Sequence, residues 1–451
     1  MNDTIAALST PPGRGGVAVV RVSGAGALSV AEKLFSPAGK TPVSAFEPYK
    51  LYPGRIDCGA FSDFGLCVYF KAPHSFTGED VAEFHCHGGT GIVRALLGRI
   101  FALGCRPAER GEFTKRAFLN GKLSLSSAEG LADMINGQSE AEIRAGSMLY
   151  AERLTGAVRG IQAKLTEILA GIDADIDFPE EDIEHTDLAA AGGQVAALLQ
   201  EVRGLAAGYG AGKKIKEGVS VVLAGKPNTG KSSLLNALLG ADKAIVSAVP
   251  GTTRDVVEGS IEIGGVRFDL YDTAGIRESG EEAESIGIGR ARALIGGADL
   301  VLFVLDASAP LSAEDREVYE RTEGSRRIVV YNKTDIGGKE PSAKGGEKPP
   351  ADIRVSARTG ENIAALRELL YARGLEGVRT DGAFVIEARH HAALERAAKE
   401  LAEAAALCGT LPPDLWGVHL RAAWEALGEI TGETANERII DEIFSKFCVG
   451  K

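Results

Sequence analysis

With 451 residues, 45% apolar and 25% charged, the chain has the composition of a globular protein too long for one ordinary core, so two to four domains are expected. No apolar run reaches the length of a membrane span, and the start Met1-Asn2-Asp3-Thr4 lacks a basic and an apolar leader, so a cytoplasmic protein without a membrane partner is expected. A net charge of −12 argues against non-specific wrapping on nucleic acid, and six cysteines with no C-x-x-C pair argue against a zinc ribbon or a thioredoxin-type site.

Residues 1–121 carry 13 Lys and Arg against 10 Asp and Glu, and read as mixed α/β. Gly16–Gly24 is a β-rich run bounded by glycines; Val81–His87 is a second, ending at Gly88-Gly89. Gly91–Leu103 is apolar at helical spacing. In the second strand Glu83, His85 and His87 share a face, but a metal site needs further ligands and no cluster supplies them, so ordinary strand residues are favoured over zinc. Arg21 interrupts an apolar strand. Either it is an edge-strand charge or it contacts an anion, and the residues leave both open.

Residues 122–212 hold 6 basic against 15 acidic residues and read as a long helical stretch. Ser126-Ser127-Ala128-Glu129 is expected to cap its start, and apolar residues recur at helical spacing from Leu131 to Ile168. The acidic segment Asp173–Asp182, with Pro179, interrupts it, and helix resumes from Asp187 to about Leu205. Residues 373–451 return to helix at Ala392–Leu407, Leu415–Ile430 and Asn436–Phe447, with Trp416 and Trp424 expected as core anchors. The terminal Gly450-Lys451 reads from composition alone as a frayed end.

Residues 213–372 carry the most specific signal. Gly225-Lys226-Pro227-Asn228-Thr229-Gly230-Lys231-Ser232 follows the β-rich run Val219–Ala224 and precedes the helical run Ser233–Leu239. This is G-x-x-x-x-G-K-S between strand and helix, where glycines turn backbone N–H groups around a phosphate and the helix N-terminus adds its positive end. Lys231 supplies a point charge to the β- and γ-phosphates, and the Ser232 hydroxyl is placed to ligate Mg²⁺.

Four more signals follow in fixed order. Gly251-Thr252-Thr253-Arg254-Asp255 holds a threonine able to reach Mg²⁺. The hairpin Val256–Ile263 and Val266–Tyr271, turned by Gly264-Gly265, leads into Asp272-Thr273-Ala274-Gly275. The strands Leu300–Leu305 and Ile328–Tyr331 come next, the latter ending in Asn332-Lys333-Thr334-Asp335, and Ile353–Val355 leads into Ser356-Ala357. Asp335 can accept two hydrogen bonds from guanine N1–H and the 2-amino group, whereas adenine would leave the carboxylate unpaired. The nucleotide is therefore read as GTP. Ile276 stands where many small GTPases orient water with glutamine, so Glu278, Glu281, Glu282 or Glu284, or a partner's group, must do so, with Arg254 and Arg277 as candidate cations. The Asn228 amide oxygen could hold a monovalent cation beside the phosphates, K⁺ then standing in for an arginine finger.

These motifs, with Thr10-Pro11-Pro12-Gly13-Arg14-Gly15-Gly16, Ser75-Phe76-Thr77-Gly78-Glu79-Asp80, Gly111-Glu112-Phe113, Arg116-Ala117-Phe118-Leu119-Asn120, Ile176–Asp182 and the terminal Phe447-Cys448-Val449-Gly450-Lys451, resemble the tRNA modification GTPase family MnmE, also called TrmE, over essentially the whole chain. The resemblance implies a multidomain α/β fold with an N-terminal α+β folate-binding and dimerisation domain at 1–121. A discontinuous helical domain at 122–212 and 373–451 would flank an inserted Ras-like P-loop GTPase domain at 213–372, a mixed sheet with flanking helices. It implies a homodimer whose G domains pair when K⁺ and GTP are bound. With an MnmG-type flavoprotein, in a heterotetramer, it would add an aminomethyl or carboxymethylaminomethyl group to C5 of the wobble uridine of certain tRNAs, the one-carbon unit coming from a tetrahydrofolate derivative, for which 5-formyltetrahydrofolate is the binding analogue.

Carried onto these residues, the resemblance implies GTP contacts at Asn228, Thr229, Gly230, Lys231, Ser232, Ser233, Ser247, Ala248, Val249, Pro250, Gly251, Thr252, Thr253, Asp272, Thr273, Ala274, Gly275, Asn332, Lys333, Asp335, Ser356 and Ala357. It implies K⁺ ligands at Asn228, Ser247, Val249 and Thr252, Mg²⁺ ligands at Ser232 and Thr253, and Glu284 as the water-positioning catalytic residue. Folate contacts would fall on Arg21, Glu83, Lys122 and Lys451, which replaces the frayed-end expectation for Lys451. Cys448 matches a family cysteine, with a structural role preferred over a thiol carrier. One departure is His85-Cys86-His87-Gly88 where the family has G-H-G-G, expected to put Cys86 beside the folate wall.

Overall fold

The computed structural model describes residues 3–177, 188–240, 257–272, 293–336, 349–376 and 385–451. The chain divides into two compact units, one formed by Met1–Ala132, Met148–Leu199 and Arg396–Lys451, the other by Asp133–Ser147 and Gln200–Glu395.

The first unit is built on strands β1 (Ile5–Leu8), β2 (Gly15–Ser23), β3 (Phe35–Pro37), β4 (Tyr52–Asp57), β5 (Ser62–Phe70), β6 (Val81–Gly88) and β7 (Arg106–Pro107), in the order β3-β4-β5-β6-β2-β1-β7. All neighbours are antiparallel except β1 and β7. Alternation sorts the two faces. Val20, Val22, Phe84 and Cys86 face a core completed by Leu96 and Ile100 of helix Thr90–Ala102. Arg21 and Glu83, directly opposed across β2 and β6, take the other face. Cys86 is thus a core residue, not part of the Arg21 face: it is offset from Glu83 and His85 by an odd number of positions, and period two sends it inward. Burial pushes its thiol up to about 11.

Two glycines lie inside strands of this sheet. Gly54 and Gly65 pair across β4 and β5, and a Cβ at either would collide with a neighbouring backbone carbonyl, Ser36 or His85. These glycines serve close backbone approach rather than a turn. In the helical part of this unit, Arg153–Asp177 packs along Pro413–Thr431, with Trp416 fully buried, Ile172 against Gly417, and Gln162 Nε2 donating to the Trp424 carbonyl at 3.3 Å.

Helix Leu125–Asn136 starts earlier than the expected capping box. Ser127 N–H donates to Ser124 Oγ at 3.1 Å, so Ser124 is the cap. Burial decides between adjacent serines: capping at Ser124 brings the fully buried Leu125 into the first turn. Ser126 is left to bond Thr155 Oγ1 at 2.8 Å inside the unit. The long helical stretch is also divided, with Ser139 Oγ accepting from Glu142 N–H to open Glu140–Tyr150, and Glu152 turning at φ 59° before Arg153.

The second unit holds strands β8 (Val219–Ala224), β9 (Gly259–Ile263), β10 (Val266–Asp272), β11 (Leu300–Asp306), β12 (Arg327–Asn332) and β13 (Ile353–Arg354), in the order β13-β12-β11-β8-β10-β9. Only the edge strand β9 is antiparallel, joined to β10 by Gly264-Gly265, both at positive φ as a tight hairpin turn requires. The central strands are apolar apart from Ser220 in β8 and Asp306 at the end of β11, as strands covered on both faces tend to be. Leu234 and Leu238 of helix Lys231–Gly240 and Leu366 and Leu370 of helix Ile363–Gly374 pack in the same core as Leu223, Phe268 and Val330.

Candidate functional site

The carboxyl ends of β8, β10, β11, β12 and β13 lead into, or carry, Gly225, Asp272, Asp306, Asn332 and Ser356 respectively. Strand order reverses about β8, and ligands of open α/β sheets bind at such a reversal, beyond the carboxyl ends. Segments far apart in sequence therefore meet at one edge of the sheet.

The loop 225–230 adopts conformations that only some residues tolerate. Gly225 and Gly230 sit at φ 156° and 88°, and Asn228 at φ 63°, a left-handed backbone that asparagine enters more readily than most residues. A Cβ at Gly225 would strike the Val304 carbonyl, and one at Gly230 the side-chain nitrogen of Asn332. Lys231 Nζ donates to the carbonyls of Gly225 at 2.8 Å and Lys226 at 2.9 Å, so its charge is held at the mouth of the loop. Ser232 Oγ donates to Asp272 Oδ2 at 2.9 Å. This hydroxyl and carboxylate are hard oxygen donors of the kind Mg²⁺ takes, so the pair fits the ion. Burial and the Asp272 carboxylate hold the Glu258 carboxyl above its usual range, which marks a region where negative charge is crowded.

The segment Asn332–Asp335 is tied directly to this loop. Asn332, 1% exposed, donates through Nδ2 to the carbonyls of Thr229 at 3.1 Å and Gly230 at 3.3 Å, and its Oδ1 accepts from Ala357 N–H at 3.0 Å. Lys333 Nζ donates to the Asn228 carbonyl and to Asp306 Oδ2, both at 2.6 Å. Burial would raise the Asp306 carboxyl, but Lys333 and the Ser308 hydroxyl and N–H hold it below its usual range. Asp335 accepts from Ser356 Oγ at 2.7 Å, leaving its other oxygen 3.8 Å from Arg358.

A second constellation lies in the first unit. Arg21 Nε donates to Glu83 Oε1 at 2.7 Å, while the guanidinium lies 5.7 Å and 5.6 Å from the ring centres of Phe76 and Phe113. His85 Nε2 is 3.4 Å from Glu83 Oε2. Burial pushes the Glu83 carboxyl up, but His85 and Arg21 bring it below its usual range. Phe113 N–H donates to the Lys451 carbonyl at 3.2 Å and Gly111 N–H to the Cys448 carbonyl at 3.4 Å, while Val449 bridges Arg110. Gly450, at φ 96°, lies so close to the Leu8 carbonyl that no Cβ would fit. The tail 448–451 is therefore seated, and Lys451 reaches the residue whose ring faces Arg21. Lys122 Nζ donates to the Pro73 carbonyl at 3.0 Å, on the loop that carries Phe76.

A family model described as MnmE helical domain matches residues 125–448, and one described as GTP-binding protein TrmE N-terminus matches residues 4–122. A relative from Symbiobacterium thermophilum named tRNA modification GTPase MnmE is 42% identical, covering 100% of this chain and 99% of its own length. Relatives of the same name from Heliobacterium modesticaldum and Methylococcus capsulatus are 41% and 40% identical, with 100% of this chain covered and 100% and 99% of theirs. The chain belongs to the MnmE family.

Of the residues that the MnmE resemblance implicates, Asn228, Thr229, Gly230, Lys231, Ser232, Ser233, Asp272, Asn332, Lys333, Asp335, Ser356 and Ala357 fall at the one sheet edge. Arg21 and Glu83 are in contact, with Lys451 and Lys122 joined to their surroundings through Phe113 and the Pro73–Phe76 loop. Ser247, Ala248, Val249, Pro250, Gly251, Thr252, Thr253, Thr273, Ala274, Gly275 and Glu284 lie outside the described residues, as do Arg254, Ile276 and Arg277.

Residue-by-residue reading missed Arg116. It is 1% exposed and holds Asp3 Oδ1 at 2.8 Å, Glu112 Oε1 at 3.0 Å and Glu79 at 3.2 Å. Ser23 Oγ donates to the same Glu79 at 2.8 Å, and Asn120 Nδ2 to the Thr77 carbonyl at 2.7 Å. The motifs 75–80 and 116–120 thus set the loop that presents Phe76 to Arg21. The available signal was an arginine four residues after Glu112 in a helix with Phe113 and Ala117 on its buried side.

Proposed function

We propose that this chain is a K⁺-activated GTPase that acts, with an MnmG-type flavoprotein partner, on C5 of the wobble uridine of certain tRNAs, using a tetrahydrofolate one-carbon donor. The observation that supports it most is the joining of Asn332 to both Thr229 and Gly230, which places base recognition and phosphate binding in one frame. Asp335 would read the guanine N1–H and 2-amino group, and Asn228–Ser233 would wrap the phosphates, with Lys231 moving from two loop carbonyls onto the β- and γ-oxygens. Ser232 and Thr253 would hold Mg²⁺, with Asp272 accepting from Ser232. Asn228, Ser247, Val249 and Thr252 would hold K⁺, whose charge would offset that developing on the transferred phosphoryl group. Glu284 would orient the attacking water.

The domains would divide as folate binding and homodimerisation at 1–121, helices at 122–212 and 373–451, and GTP hydrolysis at 213–372. Arg21, Glu83, Lys122 and Lys451 would hold the folate. The Arg21 guanidinium is buried enough to bind an anionic or carbonyl group strongly, and Phe76 and Phe113 offer flat apolar walls to a ring. A cytoplasmic setting and a heterotetramer with the flavoprotein complete the reading.

The deciding experiment is nucleoside analysis of tRNA from a strain lacking the chain. Loss of the aminomethyl-type substituents from wobble uridine, restored by the wild-type gene but not by a Lys231→Ala copy, is expected. An unchanged nucleoside profile would refute the reading.

A further inference from the structure

Lys226 is the second residue of the phosphate loop, a position that the G-x-x-x-x-G-K-S pattern leaves free, and none of the assignments above includes it. Its ammonium donates to Asp315 Oδ2 at 2.6 Å and to Ser312 Oγ at 3.1 Å. Both side chains are withdrawn from water, Lys226 to 19% and Asp315 to 3% exposure.

Asp315 is itself fixed. Helix Ala313–Arg321 opens with a complete capping box, in which Ser312 N–H donates to Asp315 Oδ2 at 2.9 Å and Asp315 N–H donates to Ser312 Oγ at 3.3 Å. Ser312 Oγ, Ser312 N–H and Lys226 Nζ all converge on Oδ2, while Oδ1 is buried with no hydrogen-bond partner among the described residues. A buried carboxylate so unevenly satisfied depends on the adjacent cation.

The other end of Lys226 faces Lys231. Its main-chain carbonyl accepts from Lys231 Nζ at 2.9 Å and from Thr229 Oγ1 at 3.1 Å. The residue thus has its side chain moored to a helix cap and its peptide bonded to two loop residues. The peptide following Gly225 would otherwise have the freedom glycine confers.

We propose that Lys226 is a positioning residue for the nucleotide phosphates, its ion pair with Asp315 holding the loop peptide from which Lys231 is presented. This rests on the reading of Gly225–Ser232 as a phosphate loop, and it adds an anchor that lies on a different strand-to-helix connection. It acts through Lys231, not by contact with the phosphates.

The test uses the full chain, fluorescent GDP and GTP analogues for affinity, and turnover at saturating GTP. Lys226→Met is expected to weaken both nucleotides about tenfold, as loss of a preorganised loop does, and to raise KM for GTP by a larger factor than it lowers saturated turnover. Lys226→Arg should recover most of the affinity. Asp315→Asn should reproduce the Lys226→Met loss, and the double variant should be no weaker than either single one. Wild-type affinity in Lys226→Met, losses that multiply in the double variant, or no recovery with arginine would overturn the proposal. If Lys226→Met does not fold, the Asp315→Asn and Lys226→Arg pair decides in the same way. Lys231→Ala separates the two levels: wild-type nucleotide binding in that variant would remove the phosphate-loop reading itself, whereas its loss beside an unaffected Lys226→Met would remove the anchor alone.

Discussion

Asn332 donates its side-chain amide to the carbonyl oxygen of Thr229 at 3.1 Å, so the end of β12 and the phosphate loop are bonded although 103 residues separate them. A second bond to Gly230 and one accepted from Ala357 make this buried amide the meeting point of three segments. Asn332→Ala removes three hydrogen bonds, one buried and two partly buried, and leaves two carbonyls and an N–H without that partner, a cost on the order of 2–4 kcal/mol. Affinity for GTP and GDP should fall by at least about tenfold, with a lower melting temperature. Fluorescence titration checks this, and unaltered affinity would speak against the shared frame.

Asp335 is placed by Ser356, whose hydroxyl donates to it at 2.7 Å. Asp335→Asn should shift preference from guanosine towards xanthosine nucleotides, because an amide can donate to the xanthine 2-oxo group where the carboxylate accepted from the guanine amine. Competition between GTP and XTP measures it. A variant that still prefers GTP would remove Asp335 from base reading.

Replacing Na⁺ by K⁺ should raise GTP turnover by roughly tenfold or more, since the larger ion suits a niche of several oxygen ligands beside the phosphates. Asn228, its backbone set at φ 63° and its carbonyl accepting from Lys333, would offer its side-chain amide to the ion. Equal rates in both salts would dispose of the potassium reading.

Arg21→Ala should weaken 5-formyltetrahydrofolate by about tenfold or more in calorimetric titration, the scale of a charge-assisted hydrogen bond lost from a partly buried site. It also strands Glu83, whose carboxyl the arginine helps to keep ionised. Wild-type folate affinity in this variant would move the pterin or its acidic tail elsewhere.

Asp133 gives a pH dependence with a defined sign. Burial, reinforced by the Glu387 carboxylate, pushes its carboxyl up to about 7, against the pull of Lys216 Nζ at 2.8 Å. The folded chain therefore holds this proton more tightly than the unfolded one. The group's contribution to stability is present below about pH 4 and is lost as pH rises through about 7, on the order of 4 kcal/mol in all. Lys216 stays charged throughout that window, its own value being raised by Glu387 and Asp133 against burial. Asp133→Asn should gain denaturant stability relative to wild type between pH 4.5 and 7.5, and a constant difference over that range would contradict the assignment.

Much of this architecture could be read from the residues. β8 was expected at Val219–Ala224 and forms there, and the Gly264-Gly265 turn and the strands before Asn332 and Ser356 came out within about two residues, because buried parallel strands announce themselves as apolar runs between loop residues. What escaped was decided by tertiary contact. Gly54 and Gly65 look like turn residues and lie mid-strand. Ser124, Ser126 and Ser127 are equivalent caps until the burial of Leu125 selects one. Cys86 looked adjacent to a ligand wall until pleat alternation turned it inward. Arg21 could be an edge charge or an anion contact on sequence grounds; its neighbours Phe76 and Phe113 come from distant segments and carry no local signal.

Gly230 and Asn332 cannot drift apart in evolution one at a time. Any side chain at 230 would need the volume that the Asn332 amide fills, and any shortening at 332 would leave the glycine's carbonyl without its donor. A mutational library that randomises only one of the two positions should return the parent residue, while one that varies both has a path to new pairs. The two signatures, read separately as a phosphate motif and a base motif, are inherited as a single lock.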